Sequence, residues 1–484
     1  MSGKQIYCFT LKAESPARFG GTRAEELLKD GDDRPFVAGN SIGGALRDYV
    51  NRAFPHLEQE VLYYMGGSVL DPDLMDNEEK VFKFRESRIF ISDGLISGIQ
   101  KLEQPEHQKV TTMWAEGTAI NPVNSSARLN HKYKREYLPR GTELAFNIEC
   151  DTGAEESDSA LLKVAFQELI ELWARAIHDG SLRLGGQKSN GYGKFSLSKL
   201  EIQEFNFDSQ KVLDDYIFNR EHIKRRDCTG RVLQGENKTA VLPAIEFTMM
   251  GSFPYGVYQS FQDEVVSAKT FKVTGLQRNG DGNYYIPATS IKGLLRHEIR
   301  QLFIRMNKDQ SPAGILAAEQ LCEQLFGSTE QRGKLLMSDM IFTKFVEVAI
   351  ERPKSPRDDS ETPTTLPVYV KIDRLTGGVL SSALKHQNEI QGEAELCLEL
   401  QADDVDPNGH PFLFPILYAL RRIGAGKVPI GGRTVIGLGE FSAPEVKVSI
   451  MGEPYYFNNG DSLPPEQLQR LEQYYDIFVK EVQQ

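Results

Sequence analysis

The chain states one strand–turn–helix phrase twice. Its second statement is Ile286-Pro-Ala-Thr-Ser-Ile-Lys-Gly-Leu-Leu-Arg296, and its first is Val37-Ala-Gly-Asn-Ser-Ile-Gly-Gly-Ala-Leu-Arg47. Ser290 follows Ser41, Arg296 follows Arg47 and Phe303 follows Phe54, each by 249 residues. A duplication at that period calls for two domains of one kind, which a chain of 484 residues is long enough to form. In the second statement a strand ends at Ile286 and a helix follows, with Thr289 or Ser290 placed to cap it. Ile291, Leu294, Leu295, Ile299, Leu302 and Phe303 fall on one face of that helix, while Lys292, Arg296 and Arg300 recur four apart on another. A small-residue turn feeding a helix start beside cations is a recipe for holding phosphate.

Further landmarks recur in the same order. The strand end Phe90-Ile-Ser-Asp93 is echoed by Leu335-Leu-Met-Ser-Asp339, and Gly141-Thr-Glu-Leu144 by Gly392-Glu-Ala-Glu-Leu396. The glycine loop Gly185-Gly-Gln-Lys-Ser-Asn-Gly-Tyr-Gly193 is echoed by Gly431-Gly-Arg-Thr-Val-Ile-Gly-Leu-Gly439. Strands are predicted at Ile6–Leu11 and Ala244–Met249, and helices over residues 161–177, 412–423 and 464–480. Asn279-Gly-Asp-Gly282 is a hairpin signal. Residues 127–140 form a basic stretch with interleaved aromatics, including Lys132, Lys134 and Arg135. These landmarks divide the chain into a first domain over 1–205, a linker or strap over 206–240, a second domain over 241–450 and a C-terminal helical extension over 451–484.

Composition narrows the partners. Lys and Arg number 56 against 68 Asp and Glu, a net charge of −12, which does not suit a protein that coats bare nucleic acid. Any nucleic acid must be met by local basic patches, as in a subunit of a larger assembly. The five cysteines are widely spaced with no C-x-x-C pair, which indicates neither a disulfide framework nor a zinc site. No apolar run approaches eighteen residues, so no membrane partner and a cytoplasmic location are expected.

The ordered set resembles the RAMP superfamily of CRISPR-associated RNA-binding proteins, and within it the guide-binding backbone subunits of type III effector complexes. Two such units in one chain look like the double-unit subunit of the type III-D variants. The resemblance implies an α+β chain of two ferredoxin-like, RRM-like domains in tandem, with inserted thumb hairpins and loops. It implies CRISPR guide RNA, target RNA and other type III effector subunits as partners. Carried over residue by residue, the RNA-binding candidates are Gly39, Ser41, Arg47, Thr289, Ser290, Lys292 and Arg296 around the two helix starts. The glycine loops add Gly185, Gly186, Lys188, Gly193, Gly431, Gly432, Arg433 and Gly439, where glycine lets the backbone approach and leaves N–H groups for phosphate. A mid-domain R-x-T-G is present as Arg374-Leu-Thr-Gly377 but not in the first half, where Lys132, Lys134 and Arg135 are the alternative grip. The first half also has Ala38 and Gly43 in place of the family's proline and basic residue, and the second has Ala288 in place of its glycine.

In cleaving members an aspartate in the loop before the helix motif cuts target RNA with Mg²⁺ or another divalent cation. The resemblance makes Asp263 the second half's candidate, as catalytic residue and metal ligand, and leaves Asp30, Asp32 and Asp33 unseparated in the first. Two other readings stand beside this one: a guide-binding subunit without catalysis, and a guide-processing endoribonuclease working through a histidine. No histidine has a spacing that favours the last.

Overall fold

The computed structural model describes residues 3–21, 25–70, 82–97, 112–120, 127–151, 159–219, 224–234, 244–262, 273–279, 282–307, 311–328, 330–348, 350–351, 364–365, 367–380, 384–402 and 406–482. It divides into two compact units, one comprising residues 1–115, 133–188 and 192–242, the other 116–132, 189–191 and 243–484. Each has its own apolar core.

In the first unit the strands are β1 (Gly3–Ala13), β2 (Phe36–Val37), β3 (Gly67–Leu70), β4 (Phe82–Arg85), β5 (Ile89–Ile91) and β6 (Gly94–Ser97). There follow β7 (Met113–Ile120), β8 (Ala127–Tyr137), β9 (Glu143–Asp151), β10 (Phe195–Asn206) and β11 (Arg226–Asp227). The sheet runs β11-β10-β1-β9-β6-β2, with β5 also paired to β9, and β3-β4 and β7-β8 are separate two-stranded ribbons. β1 is antiparallel to both neighbours, so its alternate residues Tyr7, Phe9 and Leu11 all enter the core. The helices are α1 (Gly39–Ala53), α2 (Glu58–Met65), α3 (Ser159–Asp179), α4 (Gln210–Phe218) and α5 (Thr229–Gln234). α1 buries Ile42, Leu46, Tyr49 and Val50, the three-and-four spacing of a helix with one apolar face. α3 buries Phe166, Leu169, Ile170 and Trp173. The basic stretch at 127–140 is mostly strand β8. The strap packs onto the sheet: β11 pairs with β10, and Cys228 and Val232 join the core.

In the second unit the strands are β12 (Ala244–Val257), β13 (Phe261–Gln262), β14 (Val273–Gly275), β15 (Gln277–Arg278), β16 (Tyr284–Ile286), β17 (Leu335–Met337) and β18 (Met340–Glu347). They continue as β19 (Ile350–Glu351), β20 (Thr364–Thr365), β21 (Val368–Tyr369), β22 (Lys385–Asn388), β23 (Ile390–Gln401), β24 (Glu445–Ile450) and β25 (Glu453–Asn458). The main sheet runs β15-β16-β18-β23-β12-β24-β25, with β17 on β23. Its inner order matches the first unit strand for strand: β12 lies between β23 and β24 as β1 lies between β9 and β10. A smaller sheet runs β13-β14-β22-β21, and β19 pairs with β20. The helices are α6 (Ala288–Asn307), α7 (Pro312–Phe326), α8 (Leu413–Gly424) and α9 (Pro465–Val482). α6 buries Ile291, Leu295, Ile299, Leu302 and Phe303, the predicted face, with Leu294 packed at its edge. The segment after residue 450 belongs to this unit: β25 pairs along β24, and Tyr474 and Phe478 of α9 lie in the core.

The main sheet of each unit is therefore antiparallel, backed by helices and with the same inner strand order, the ferredoxin-like α+β arrangement.

Candidate nucleic-acid interface

In each unit the glycine loop is bonded to the residues at the end of the central strand, and the motif helix starts against a Ser-Asp strand end. The helix starts are already capped, and not by Thr289 or Ser290. Helix α6 begins at Ala288, which places both hydroxyl residues inside its first turn. The Ala288 N–H donates to Asp339 Oδ1 at 2.8 Å, and the Gly39 N–H of α1 donates to Asp93 Oδ1, also at 2.8 Å. The two aspartates are the repeated Ser-Asp strand ends, so that landmark is the cap. The third amide is also engaged, since the Ser41 N–H donates to Ala38 O and the Ser290 N–H to Pro287 O. A carboxylate thus already occupies the positive end of each helix. Loss of solvation pushes the Asp339 carboxyl up to about 6, against the pull of its bond from Ala288. Ser41 is exposed. Ser290 Oγ instead accepts from the nearly buried Gln259 amide at 3.1 Å.

The glycine loops clamp the strand ends. The N–H of Gly186 donates to Arg18 O and that of Gly193 to Pro16 O; Gly432 donates to Tyr258 O and Gly439 to Gly256 O, all within 2.7–2.8 Å. The expectation that these amides await phosphate is not met, because they hold the loop to the chain. Gly193 and Gly439 have φ of +84° and +88°, and a Cβ on either would stand 2.1 Å from a carbonyl oxygen, of Leu184 or Ile430. Gly185 and Gly431 are likewise in the left-handed region, with a Cβ position 2.5 Å from Arg18 O and 2.7 Å from Tyr258 O. Glycine is required here by the fold itself.

The loop acids of the first unit lie in a turn with a counterpart. Asp30 N–H donates to Arg34 O, Asp33 N–H to Asp30 O, and Asp30 Oδ1 accepts from Arg34 N–H at 2.9 Å. In the second unit Asn279 N–H donates to Asn283 O, Gly282 N–H to Asn279 O, and Asn279 Oδ1 accepts from Asn283 N–H at 3.0 Å. The two turns are 249 residues apart, the period of the helix motif. Asp30 is therefore a turn-closing carboxylate, with Asp32 and Asp33 exposed beside it and paired to Arg34 and Lys29. Asp263 belongs to a different place in the loop, after β13, and lies outside the described residues. In the first unit the same place is bracketed by the bond from Gly21 N–H to Glu26 O, as Phe261 pairs with Gly275 in the second. The residues within that bracket are Thr22, Arg23, Ala24 and Glu25, with no aspartate.

A family model of the RAMP superfamily matches residues 10–196 and again 266–442. The chain belongs to the RAMP superfamily. Membership makes it a CRISPR-associated RNA-binding subunit, and the two matched regions make it a tandem double-RAMP chain. No curated protein matches it.

The basic candidates of the two RAMP domains differ in how they are engaged. Arg47 turns inward, its guanidinium 2.5 Å from Met65 O at the end of α2. Arg296 and Arg300 both pair with Glu319 of α7. Lys292 donates to Ser189 Oγ at 2.9 Å, and burial, with Arg296 nearby, pushes its pKa down to about 8. Arg433 adopts φ +60°, stacks 3.7 Å above the Tyr369 ring and donates to the buried Gln387. Arg374 is exposed on a turn closed by Asp373, whose carboxylate accepts from the Leu375 and Thr376 N–H groups, and Leu375 at its tip is 97% exposed. On β8, Lys134 is exposed and Arg135 stacks 4.4 Å from the Tyr133 ring, while the Lys132 side chain lies outside the described residues. Lys188 opens the short turn of the first glycine loop.

Sequence reasoning missed Asp93 and Asp339 as caps, and Gln259, Tyr369 and Gln387 as the groups that hold Ser290 and Arg433. Only the aspartates left a signal, through their recurrence. Among the described residues no three His, Cys, Asp or Glu side chains converge as a metal site. His410 is buried, its Nδ1 accepts the Phe412 N–H, and burial with nearby Lys334 lowers its pKa to about 4, as for a structural histidine. No helix among the described residues is long and apolar enough to cross a membrane.

Proposed function

We propose that this chain is a backbone subunit of a type III CRISPR effector, holding guide RNA along both RAMP domains and cutting the paired target through Asp263. The observation that carries the reading is the Asp-capped helix start and strand-clamping glycine loop built twice on one plan, in two regions that match one RNA-binding family. With the N–H groups of Gly39, Ser41, Ala288 and Ser290 and of Gly186, Gly193, Gly432 and Gly439 bonded internally, much of the grip on RNA falls to side chains. Arg433 on Tyr369 offers a guanidinium whose plane is fixed, suited to a phosphate or to a base stacked beyond it. Arg374 and Leu375, on an exposed turn, offer a cation and an apolar wedge. Sequence is then read by pairing with the guide, while the protein follows the backbone.

For cleavage, a divalent cation would supply charge stabilisation at the scissile phosphate. It would be held by Asp263 together with the RNA's own phosphate, the mixed coordination Mg²⁺ favours. The deciding experiment measures guide affinity against salt for the assembled complex. Arg374→Ala with Arg433→Ala is expected to weaken binding and lower the slope of log K against log salt by about 1 to 2, since each phosphate left without its cation takes roughly 0.7–0.9 off the slope. An unchanged slope would remove both arginines from the interface.

A further inference from the structure

A buried amide stands against the first turn of α6. Gln259 lies between β12 and β13, four residues ahead of Asp263, and is only 7% exposed. Its Nε2 donates to Ser290 Oγ at 3.1 Å. Its Oε1 is buried and has no hydrogen-bond partner among the described residues. A buried acceptor left open costs more than a made bond returns, so the place calls for a donor.

The backbone holds this amide firmly. Gln259 O accepts the Phe261 N–H at 3.0 Å, and the Tyr258 carbonyl just before it takes the Gly432 N–H of the glycine loop. Tyr258 OH bonds Thr274 Oγ1 of β14 at 3.0 Å. Two adjacent residues after the central strand therefore bond the glycine loop and the helix start.

The first unit shows that the fold does not require an amide here. Arg18 O takes the Gly186 N–H as Tyr258 O takes that of Gly432, so Phe19 stands where the second unit has Gln259. Phe19 is buried, and its ring offers no such bond to Ser41, the counterpart of Ser290. One domain fills the place with hydrocarbon; the other keeps a polar group with an open acceptor.

The hydrogen-bonding ledger names the ligand. Ser290 Oγ has accepted one bond, which leaves its proton and a lone pair. With Gln259 Oε1 the pair offers one donor and two acceptors. A phosphate only accepts and would leave Oε1 open. A donor on a base would tie the site to one sequence, which a subunit that leaves reading to base pairing cannot use. The ribose 2′-hydroxyl remains, present on every nucleotide of RNA and able both to give and to take.

We infer that Gln259 is a specificity-determining residue: with Ser290 it binds a guide 2′-hydroxyl, which takes the Ser290 proton and gives its own to Oε1. The second domain thereby tells RNA from DNA, and the first, with Phe19, does not. This deepens the guide-holding reading and rests on it.

Fluorescence anisotropy on the full chain tests it, with a single-stranded RNA and the same sequence carrying fluorine for every 2′-hydroxyl. Fluorine keeps the sugar pucker and the phosphate charge and removes the donor. The wild type is expected to bind the RNA about tenfold more tightly, the scale of one hydrogen bond to a buried group. Gln259→Met keeps the side chain's length without its amide; it is expected to lose that preference and to bind the fluorinated strand as the wild type does. Its slope of log K against log salt is expected to stay unchanged, since no phosphate contact is lost. Ser290→Ala, at a half-buried helix position, is expected to behave alike and carries the test if the methionine variant does not fold. A wild type that binds both strands alike overturns the inference and leaves the guide-holding reading standing. A wild type that binds neither strand overturns both. Folded variants that keep the tenfold preference, or that weaken both strands equally, make Gln259 a structural residue and overturn the inference as well.

Discussion

At the scale of single residues, identity and role part company most clearly at Asp30 and Asp339. Asp30 sits in the loop where the sequence points to a cleaving carboxylate, yet it closes a turn as Asn279 does in the other half. The likeness is hidden because Asp33, at φ +63°, stands where the second turn has Gly282, at φ +84°. Aspartate tolerates that region better than most side chains, so the turn survives without its glycine signature. Asp339 shows the opposite, a strand-end residue that proves to cap a helix 51 positions earlier. Its folded pKa of about 6 lies above the ordinary 3.8, so the folded state binds the proton more tightly. The stability this contributes is present below about pH 4 and lost as pH rises through 6. Asp339→Asn keeps an acceptor for Ala288 and removes the charge, so above pH 6 it is expected to be the more stable protein, with the gap shrinking toward pH 4. Asp339→Ala loses the cap as well and is expected to cost roughly 0.5–2 kcal/mol against the asparagine variant. Urea midpoints across pH 4–8 read both effects, and parallel profiles for wild type and Asn variant would exclude a raised carboxyl.

At the scale of elements, the repeated strands and helices are legible because period and order repeat. Helix α6 buries the face its spacing marks, and the sheet strands fall at the recurring landmarks. Helices α2 and α7 and the strand character of β8 are not legible, since no recurring motif falls on them and a basic, aromatic run suits strand and loop alike. The glycine loops can be read as landmarks but not as clamps, because their carbonyl partners lie far off at residues 16–18 and 256–258. That clamp role makes a graded expectation. Gly439→Ala places a Cβ 2.1 Å from Ile430 O, whereas Gly437→Ala at a similar φ meets nothing within 4 Å. The second substitution is expected to cost only the left-handed backbone term of about 1–2 kcal/mol. The first is expected to cost clearly more, because backbone must move as well. Equal unfolding midpoints for the two would mean the clamp contributes nothing to stability.

At the scale of the whole molecule, the duplication predicts two equivalent halves, and the residues show how far they have diverged. The first half has Gly43 for Lys292, an inward Arg47 for Arg296, and Ala38 for Pro287. Its bracketed hairpin is nine residues shorter than the second's and holds no aspartate, while the three acids that follow belong to the structural turn. With −12 net charge the chain is not suited to hold RNA loosely along its whole surface, which favours local contacts by a few side chains. A chain of two RAMP domains is therefore expected to cut a guide-paired target at one position and not at two. In the assembled complex with Mg²⁺, Asp263→Ala should remove that cut while guide binding persists. The triple variant Asp30→Ala, Asp32→Ala, Asp33→Ala should leave the cut in place at near wild-type rate, with a modest loss of stability from the opened turn. Two cuts assigned to this subunit, the second lost with the triple variant, would return the first domain's acids to catalysis and make the hairpin comparison the wrong guide to the active loop.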